Sequence, residues 1–551
     1  MNLRRLTSSC LALSVGIATS LSVRAAETVT VGTTPELFVD NHLVETLDGL
    51  KRVVQQPRRI SRNPILTAEH PWEGRVLQMP CVLWDPLQKI FHMYYWAAGK
   101  NVTYTCYAWS KDGTRWKKPT LGLHAGPGGS KQNNIVLRGT GRVARTRYVV
   151  LNPRTDDPQR RFLALYIDNV PGLTEFAASS PDGLNWTTEK TIGDLRHVRG
   201  GHTSSNPPFF LIEQQWGTDR GDGHRYRAIW RTESRDMKTW TGGRLVIERL
   251  ADDDPNLEFY HACSHFLGTS TYRGMHLGYL YLFHSSPTRG VRPDGVRLEG
   301  TVDTALISSR DTIHWTRVDR RRRFLPLGPA GSWDAGMNYV APEVIVGRRM
   351  HFYYSGWKFT HGATNNSAGI GLATLPLDRI VSIEPVTTRG ALTTRLMRFQ
   401  GDRLEVNVDA DDGHLKVEVL DEAGQVVPGF DVGACRTISS DSPHRRVRWR
   451  RQKLKQLAGQ PIRLRFHLSE DCRLFGFRCR CTCSAHPSED ISFWDCVQNS
   501  IFDRVGNPAI IRITTKPAVP RDHQLCSACN ATMLMKAAPS SSASLVIRRV
   551  W

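Results

Sequence analysis

Short apolar or alternating runs, separated by polar turns, recur along most of the chain. MPCVLW, IFHMYYW and VTYTCYAW follow one another from Met79; FYHACSHF, GYLYLFH and TALIS from Phe259; YVAPEVIV, MHFYYSGW and GIGLATL from Tyr339. Runs of this length with a period of two, or with no polar break at all, read as strands buried on one or both faces. A convincing 3.6-residue helical period is almost absent, so the pattern predicts consecutive groups of three or four strands.

A spacer marks those groups. Ser110-x-Asp112-x-x-x-Trp116 recurs as Ser180–Trp186, Ser234–Trp240 and Ser309–Trp315, at intervals of 54 to 75 residues. Four copies with one internal spacing imply repeated units, and a ring of such units protects the edges of its own sheets. Five units fit residues 27–387; the fifth lacks the motif, and the third is abbreviated around RYRAIWR. The expected fold is therefore all-β, a five-bladed β-propeller, with PELFVDNHLVE (35–45) adding a strand to the last blade. A β-sandwich is the competing architecture, and the regular spacing disfavours it. One catalytic site has no use for four equivalent aspartates, so the motif reads as a turn: the Asp accepts backbone N–H groups, Gly113 and Gly183 ease the bend, and the Trp packs between strands.

After residue 388 the pattern becomes strict alternation. LEVNVDA, LKVEVLD, RVRWR and IRLRFHL predict a small antiparallel β-sandwich over 388–471. From Cys472 the alternation stops and seven of the 12 cysteines crowd the last 80 residues. CRCTC with Cys526-x-x-Cys529 could be drawn as a zinc cluster. A shift of reading frame near codon 470 accounts for both the cysteines and the lost periodicity, so 472–551 reads as an out-of-frame or disordered tail.

The first 26 residues pair a basic start with an apolar run from Leu11 to Val23 and small residues at Val23 and Ala25, the signature of a cleaved export signal. The run is too short and interrupted for a membrane span, and no later segment offers one, so the expected location is secreted or periplasmic. The formal charge of +21 is carried largely by arginine, as in Arg320–Arg323 and HRRVRWRRQKLKQ from His444. With no nucleic-acid module in view, the expected partner is a carbohydrate, with an acidic or sulfated glycan ahead of DNA; a solvated basic face is the plain alternative.

The motif is similar to the Asp box of sialidase-type propellers, one residue shorter between Asp and Trp. Together with LFVDNHLVE, the NPIL and PWE stretch at 64–73, GSWD, the HG before GIGLATL and the terminal sandwich, it resembles exported five-bladed-propeller proteins of the glycoside-hydrolase type over residues 35–470. The resemblance implies the fold and, more weakly, an activity on poly- or oligosaccharides; the N-D-P-N-G start and E-C-P box of invertase-like enzymes are not present.

Glycosidic hydrolysis needs two carboxyl groups, about 5 Å apart for retention and about 6.5–9.5 Å apart for inversion. In a propeller, residues entering each first strand face the central channel. These entries offer Glu73, Glu258 and Asp334 as the candidate catalytic set, with Trp72, His202, His261, Asn338 and His361 as substrate-binding candidates. The second unit enters through Arg145 and Thr146, without a carboxylate. Each acid has a plain alternative: Glu73 pairing with Arg75, Glu258 as a loop residue beside ADDD, Asp334 capping a turn after GSW. Glu343 is a further acid, expected to pair with an arginine. Trp72, Trp333 and Tyr339 could stack on sugars or fill gaps between blades. No metal-ligand spacing appears in the body and no cofactor is expected, although a structural calcium ion is compatible with the fold. The rival functions are a glycan-binding propeller without catalysis and a protein-interaction propeller.

Overall fold

The computed structural model describes residues 28–480, apart from 100–101, 140–142, 154–155, 169–173, 196–197, 199–203, 217–225 and 294. The expected export signal, His202 and everything from Cys481 onward lie outside the described residues. The described residues form strands joined by turns, with only short 3-10 segments such as Pro71–Glu73 and Leu454–Leu457. Among them, no helix is long and apolar enough to cross a membrane.

Five antiparallel strand units follow the sequence groups. The first is Val76–Asp85, Ile90–Ala98, Thr103–Ser110 and Ile135–Leu137. The second is Ala144–Leu151, Phe162–Asp168, Thr174–Ser180 and Thr187–Gly193. The third has only Phe209–Trp216, Arg227–Ser234 and Trp240–Ile247 among the described residues, and the fourth is Leu257–Ser264, His276–Ser285, Gly300–Ser309 and Thr316–Arg317. The fifth, Met337–Val340, Arg349–Trp357 and Ala368–Pro376, takes its outer strand from Arg58–Arg59, which pairs with Thr374 and Ala373. Central strands are buried on both faces, which is why GYLYLFH shows no alternation. Their tyrosines reach polar groups with the hydroxyl, as Tyr281 does by donating to Val340 O at 2.9 Å.

All four repeated motifs build the same turn. Each Ser Oγ donates to the Asp Oδ1 two residues on at 3.0–3.1 Å, and that oxygen accepts the backbone N–H groups two and three residues beyond the Asp at 2.8–2.9 Å. The residue after the Asp has a left-handed φ of 68° at Gly113, 76° at Gly183, 65° at Met237 and 64° at Thr312. Second strands of neighbouring units grip these turns. Tyr353 of the fifth unit donates to Gly113 O at 2.5 Å, Tyr94 of the first to Gly183 O at 2.9 Å, and Arg231 of the third to Thr312 Oγ1 at 2.9 Å.

The remaining strands form two six-stranded sheets. One centres on Pro461–Glu470, flanked by Arg389–Thr394, Met397–Phe399 and Gly413–Leu420; the other centres on Arg473–Arg480, flanked by Arg403–Asp409 and Val381–Pro385. Their inner faces share one core, in which Ile462, Leu464, Phe466 and Leu468 alternate with outward Arg463, Arg465 and His467.

Two expectations need correction. PELFVDNHLVE does not join the last unit: Glu36–Leu37 pairs with Arg473–Arg480, and Val44–Asp48 with Arg389–Thr394. The pattern also does not break near residue 470, because Arg473–Arg480 is an interior strand with Cys472, Leu474, Phe477 and Cys479 in the core. Gly476 allows that strand to meet the N-terminal one, since a Cβ there would lie 2.4 Å from Glu36 O. The cysteine-rich look of CRLFGFRCR hid a strand in which Cys479, like Cys472 just before it, is a small buried apolar residue.

Candidate functional site

Each of the three expected catalytic carboxylates is buried and held by its own cation in its own surroundings. Glu73 accepts from Lys118 Nζ at 2.9 Å, from the Tyr95 hydroxyl at 2.8 Å and from the backbone N–H of Glu69 and His70; Lys118, not Arg75, is its partner. Glu258 is in a strand and not a loop, and accepts from Arg227 Nη1 at 2.7 Å and from the Arg227 backbone N–H at 3.2 Å. Asp334 accepts from Arg59 Nε at 2.8 Å, the Tyr354 hydroxyl at 3.0 Å and Ser332 Oγ at 2.9 Å. Glu343 meets His265 at 3.3 Å and the Tyr279 hydroxyl at 2.7 Å, so its partner is a histidine where an arginine was expected.

The expected binding residues divide. Trp72 donates to Asn134 Oδ1 at 2.9 Å and stacks on His70, which gives it a packing role inside the first unit. Asn338 is fully enclosed: Oδ1 accepts from Thr304, and Nδ2 donates to the carbonyls of Leu325 and Pro326. Trp333 lies against Tyr354 and over Gly356, where a Cβ would come within 2.3 Å of its ring.

His261 and His361 belong to a different arrangement, a cluster drawn from several units. Tyr260 stacks on Tyr339 with centroids 5.8 Å apart and donates to His361 Nε2 at 2.9 Å; His361 Nδ1 donates in turn to Leu298 O at 2.7 Å, so the ring is a neutral Nδ1–H tautomer. Burial lowers the pKa of His361. Arg227 lies over the rings of Tyr260, Phe283 and Trp216. Arg145, from the first strand of the second unit, packs over Trp96 with its guanidinium carbon 5.4 Å from the centroid, and acts electrostatically on Tyr260. It has no acidic partner among the described residues.

Two residues further along the same strand, Arg147 Nη2 lies 2.8 Å from Glu175 Oε1 and 3.1 Å from Glu213 Oε2. One nitrogen shared in this way holds the two oxygens within about 6 Å of each other. Glu175 comes from the third strand of the second unit and Glu213 from the first strand of the third unit. Burial raises the pKa of Glu175; Arg147 counteracts this and the Glu213 charge adds to it. His261 accepts the Gln214 N–H at 3.4 Å, and burial together with the Arg147 charge pushes its pKa down to about 3, so it is neutral near pH 7.

Neither glutamate stands out in the sequence. Glu175 occupies a polar position at the start of TEFAASS, and Glu213 interrupts FFLIEQQW. An acid inside an otherwise apolar strand was the one available signal, since such a residue must find a cation. As a group that could share a cation, Asp409, Asp411 and Asp441 bring ligand atoms within 4.8 Å of one another beside the strand Arg403–Asp409, and Arg379 and Arg473 already neutralise two of them.

No protein-family model matches the chain, and no curated protein matches it in sequence. Among solved structures, one described as a glycoside hydrolase is 14% identical, with 58% of this chain and 92% of that one covered and a TM-score of 0.40. A glycosyl hydrolase from Bacteroides ovatus is 17% identical over 60% of this chain and 96% of its own, with a TM-score of 0.37. An α-L-arabinofuranosidase from Podospora anserina, solved with cellotriose, is 11% identical over 59% and 98%, with a TM-score of 0.36.

Proposed function

We propose that the chain is an exported glycan-active protein of the glycoside-hydrolase type, a five-bladed propeller carrying a β-sandwich, with its working residues gathered around Arg147. In a propeller the first strand of each blade borders the axis. The cluster fits that placement, because Arg145 and Arg147, Glu213, Tyr260 and His261, and Tyr339 come from the first strands of four successive units.

The observation that carries the reading is the pair of carboxylates on one guanidinium. The shared nitrogen keeps the two nearest oxygens within about 6 Å, a closeness compatible with the retaining pair of about 5 Å. Glu175, with its raised pKa, is the proton donor, and Glu213, 3.1 Å from Arg147, is the nucleophile. Arg145, a half-buried cation over Trp96 without an acidic partner among the described residues, takes the acidic group of the sugar.

The test is sugar release from acidic and neutral oligosaccharides. Glu175→Gln and Glu213→Gln should each lower the rate by about 10²–10⁴-fold, the usual weight of a positioned acid or base. Hydrolysis that persists within tenfold of wild type in both variants refutes the assignment. Arg145→Gln should weaken binding of acidic oligosaccharides and leave neutral ones unchanged.

A second reading, glycan binding without hydrolysis, is favoured by the burial of both glutamate side chains, each 2% exposed. It predicts that the wild type binds oligosaccharide without releasing sugar.

A further inference from the structure

The arginine-rich run of the sandwich has a geometry of its own. Val447 and Trp449 point into the core, so Arg446, Arg448 and Arg450 alternate with them on the exposed side. The segment 434–436 runs antiparallel beside this stretch: Arg436 N–H donates to Arg448 O at 2.8 Å, Arg450 N–H to Ala434 O at 3.0 Å, and Cys435 faces Trp449. This register sets Arg436 directly opposite Arg448, both exposed.

Like charges opposite each other across two strands are destabilising. None of these four arginines makes an ion pair with a carboxylate among the described residues, although Arg446 stands opposite Glu405 in the strand register; Arg463, Arg465 and Arg478 of the same sandwich each meet a glutamate directly. The strand Ser442–Arg446 ends at the first of these arginines, and an extended chain of about 3.3–3.6 Å per residue places Arg450 at most about 14 Å from Arg446. The result is a ridge of exposed guanidinium groups, of which Arg436, Arg448 and Arg450 face no carboxylate among the described residues.

We propose that this ridge binds a polyanionic glycan, carboxylated or sulfated, and tethers the protein to it independently of the cluster around Arg147. Guanidinium forks match planar or multi-oxygen anions, and a row of them matches charges repeated along a polymer. Single-stranded nucleic acid would need aromatic platforms for its bases. A membrane surface would need apolar side chains to insert. The large apolar residues exposed on the sandwich are Val386 and Val426, and the Trp449 ring is buried. The ridge therefore offers charge without stacking or insertion.

The full chain is tested by immobilised-ligand binding to heparin, polygalacturonate, neutral dextran, a DNA duplex and phosphatidylglycerol vesicles, at low and raised salt. The expected result is binding to heparin or polygalacturonate but not dextran, weakening with salt. The triple variant R446Q/R448Q/R450Q should lose at least tenfold in affinity, and R446K/R448K/R450K, which keeps the charge and removes the fork, should lose less. Thermal melting confirms that both variants fold. Absence of binding to both charged glycans, affinity unchanged in the Gln variant, or tighter binding of the duplex or the vesicles through these arginines overturns the proposal. None of these readouts depends on hydrolysis, so the outcome is separate from the fate of the Glu175–Glu213 assignment.

Discussion

Arg147→Met is the most direct probe of the cluster. The side chain is 15% exposed, and it neutralises two glutamate side chains that are each 2% exposed. Removing one member of a buried ion pair leaves an uncompensated charge and costs about 3–5 kcal/mol. Here two carboxylates are stranded, and the way out is for one of them to take up a proton. A carboxyl whose folded-state pKa lies above its unfolded value destabilises the fold as pH rises past the unfolded value, because the unfolded chain gives up the proton more readily. The loss in Arg147→Met should therefore be largest at pH 7.5 and smaller at pH 5. Urea unfolding at both pH values measures it. In the triple variant R147M/E175Q/E213Q the stranded charges are gone, so more than half of the loss should return and its pH dependence should vanish. A loss below about 1 kcal/mol, well under the range expected for a broken buried pair, would refute the reasoning. So would an equal loss at the two pH values.

Gly183→Ala should destabilise by about 2–4 kcal/mol, from a left-handed φ of 76° and from a Cβ placed 2.4 Å from the Tyr94 hydroxyl, which would lose its buried hydrogen bond. In a Tyr94→Phe background the same change should cost less, and additivity in denaturant melts would contradict the contact. Gly113→Ala should be milder, since its Cβ would lie 2.9 Å from the Tyr353 hydroxyl. For His265, burial disfavours the imidazolium but the charge and hydrogen bond of Glu343 outweigh it and raise the pKa. Its contribution to stability is present below the ordinary histidine pKa and lost as pH rises through the raised value, so His265→Gln should lower the melting temperature more at pH 6 than at pH 8.5. An equal shift at both pH values would show that the pair is not ionic.

Much of the strand layout was legible because it rests on local information. Alternation and apolar runs located the strands, and Ser-x-Asp-x-x-x-Trp located four turns whose hydrogen bonds are all within six residues of one another. A turn made by neighbours in sequence can be read from neighbours in sequence. The candidate acids behaved differently. Glu73, Glu258 and Asp334 stand out in the sequence for where they enter a strand, yet each meets a cation that position alone does not name: Lys118, Arg227 and Arg59 lie 45, 31 and 275 residues away.

The sequence by itself determined the all-β class, the repeat and its turns, because these depend on side-chain periodicity and on hydrogen bonds between residues close along the chain. Only the tertiary structure decided which charges meet. It brought Glu175 and Glu213 from separate units onto Arg147, placed Arg436 opposite Arg448, and moved the N-terminal strands into the two sheets centred on Pro461–Glu470 and Arg473–Arg480. Charge pairing and strand adjacency are set by register between segments far apart in the chain. A buried charge is tolerated only where that register supplies its partner.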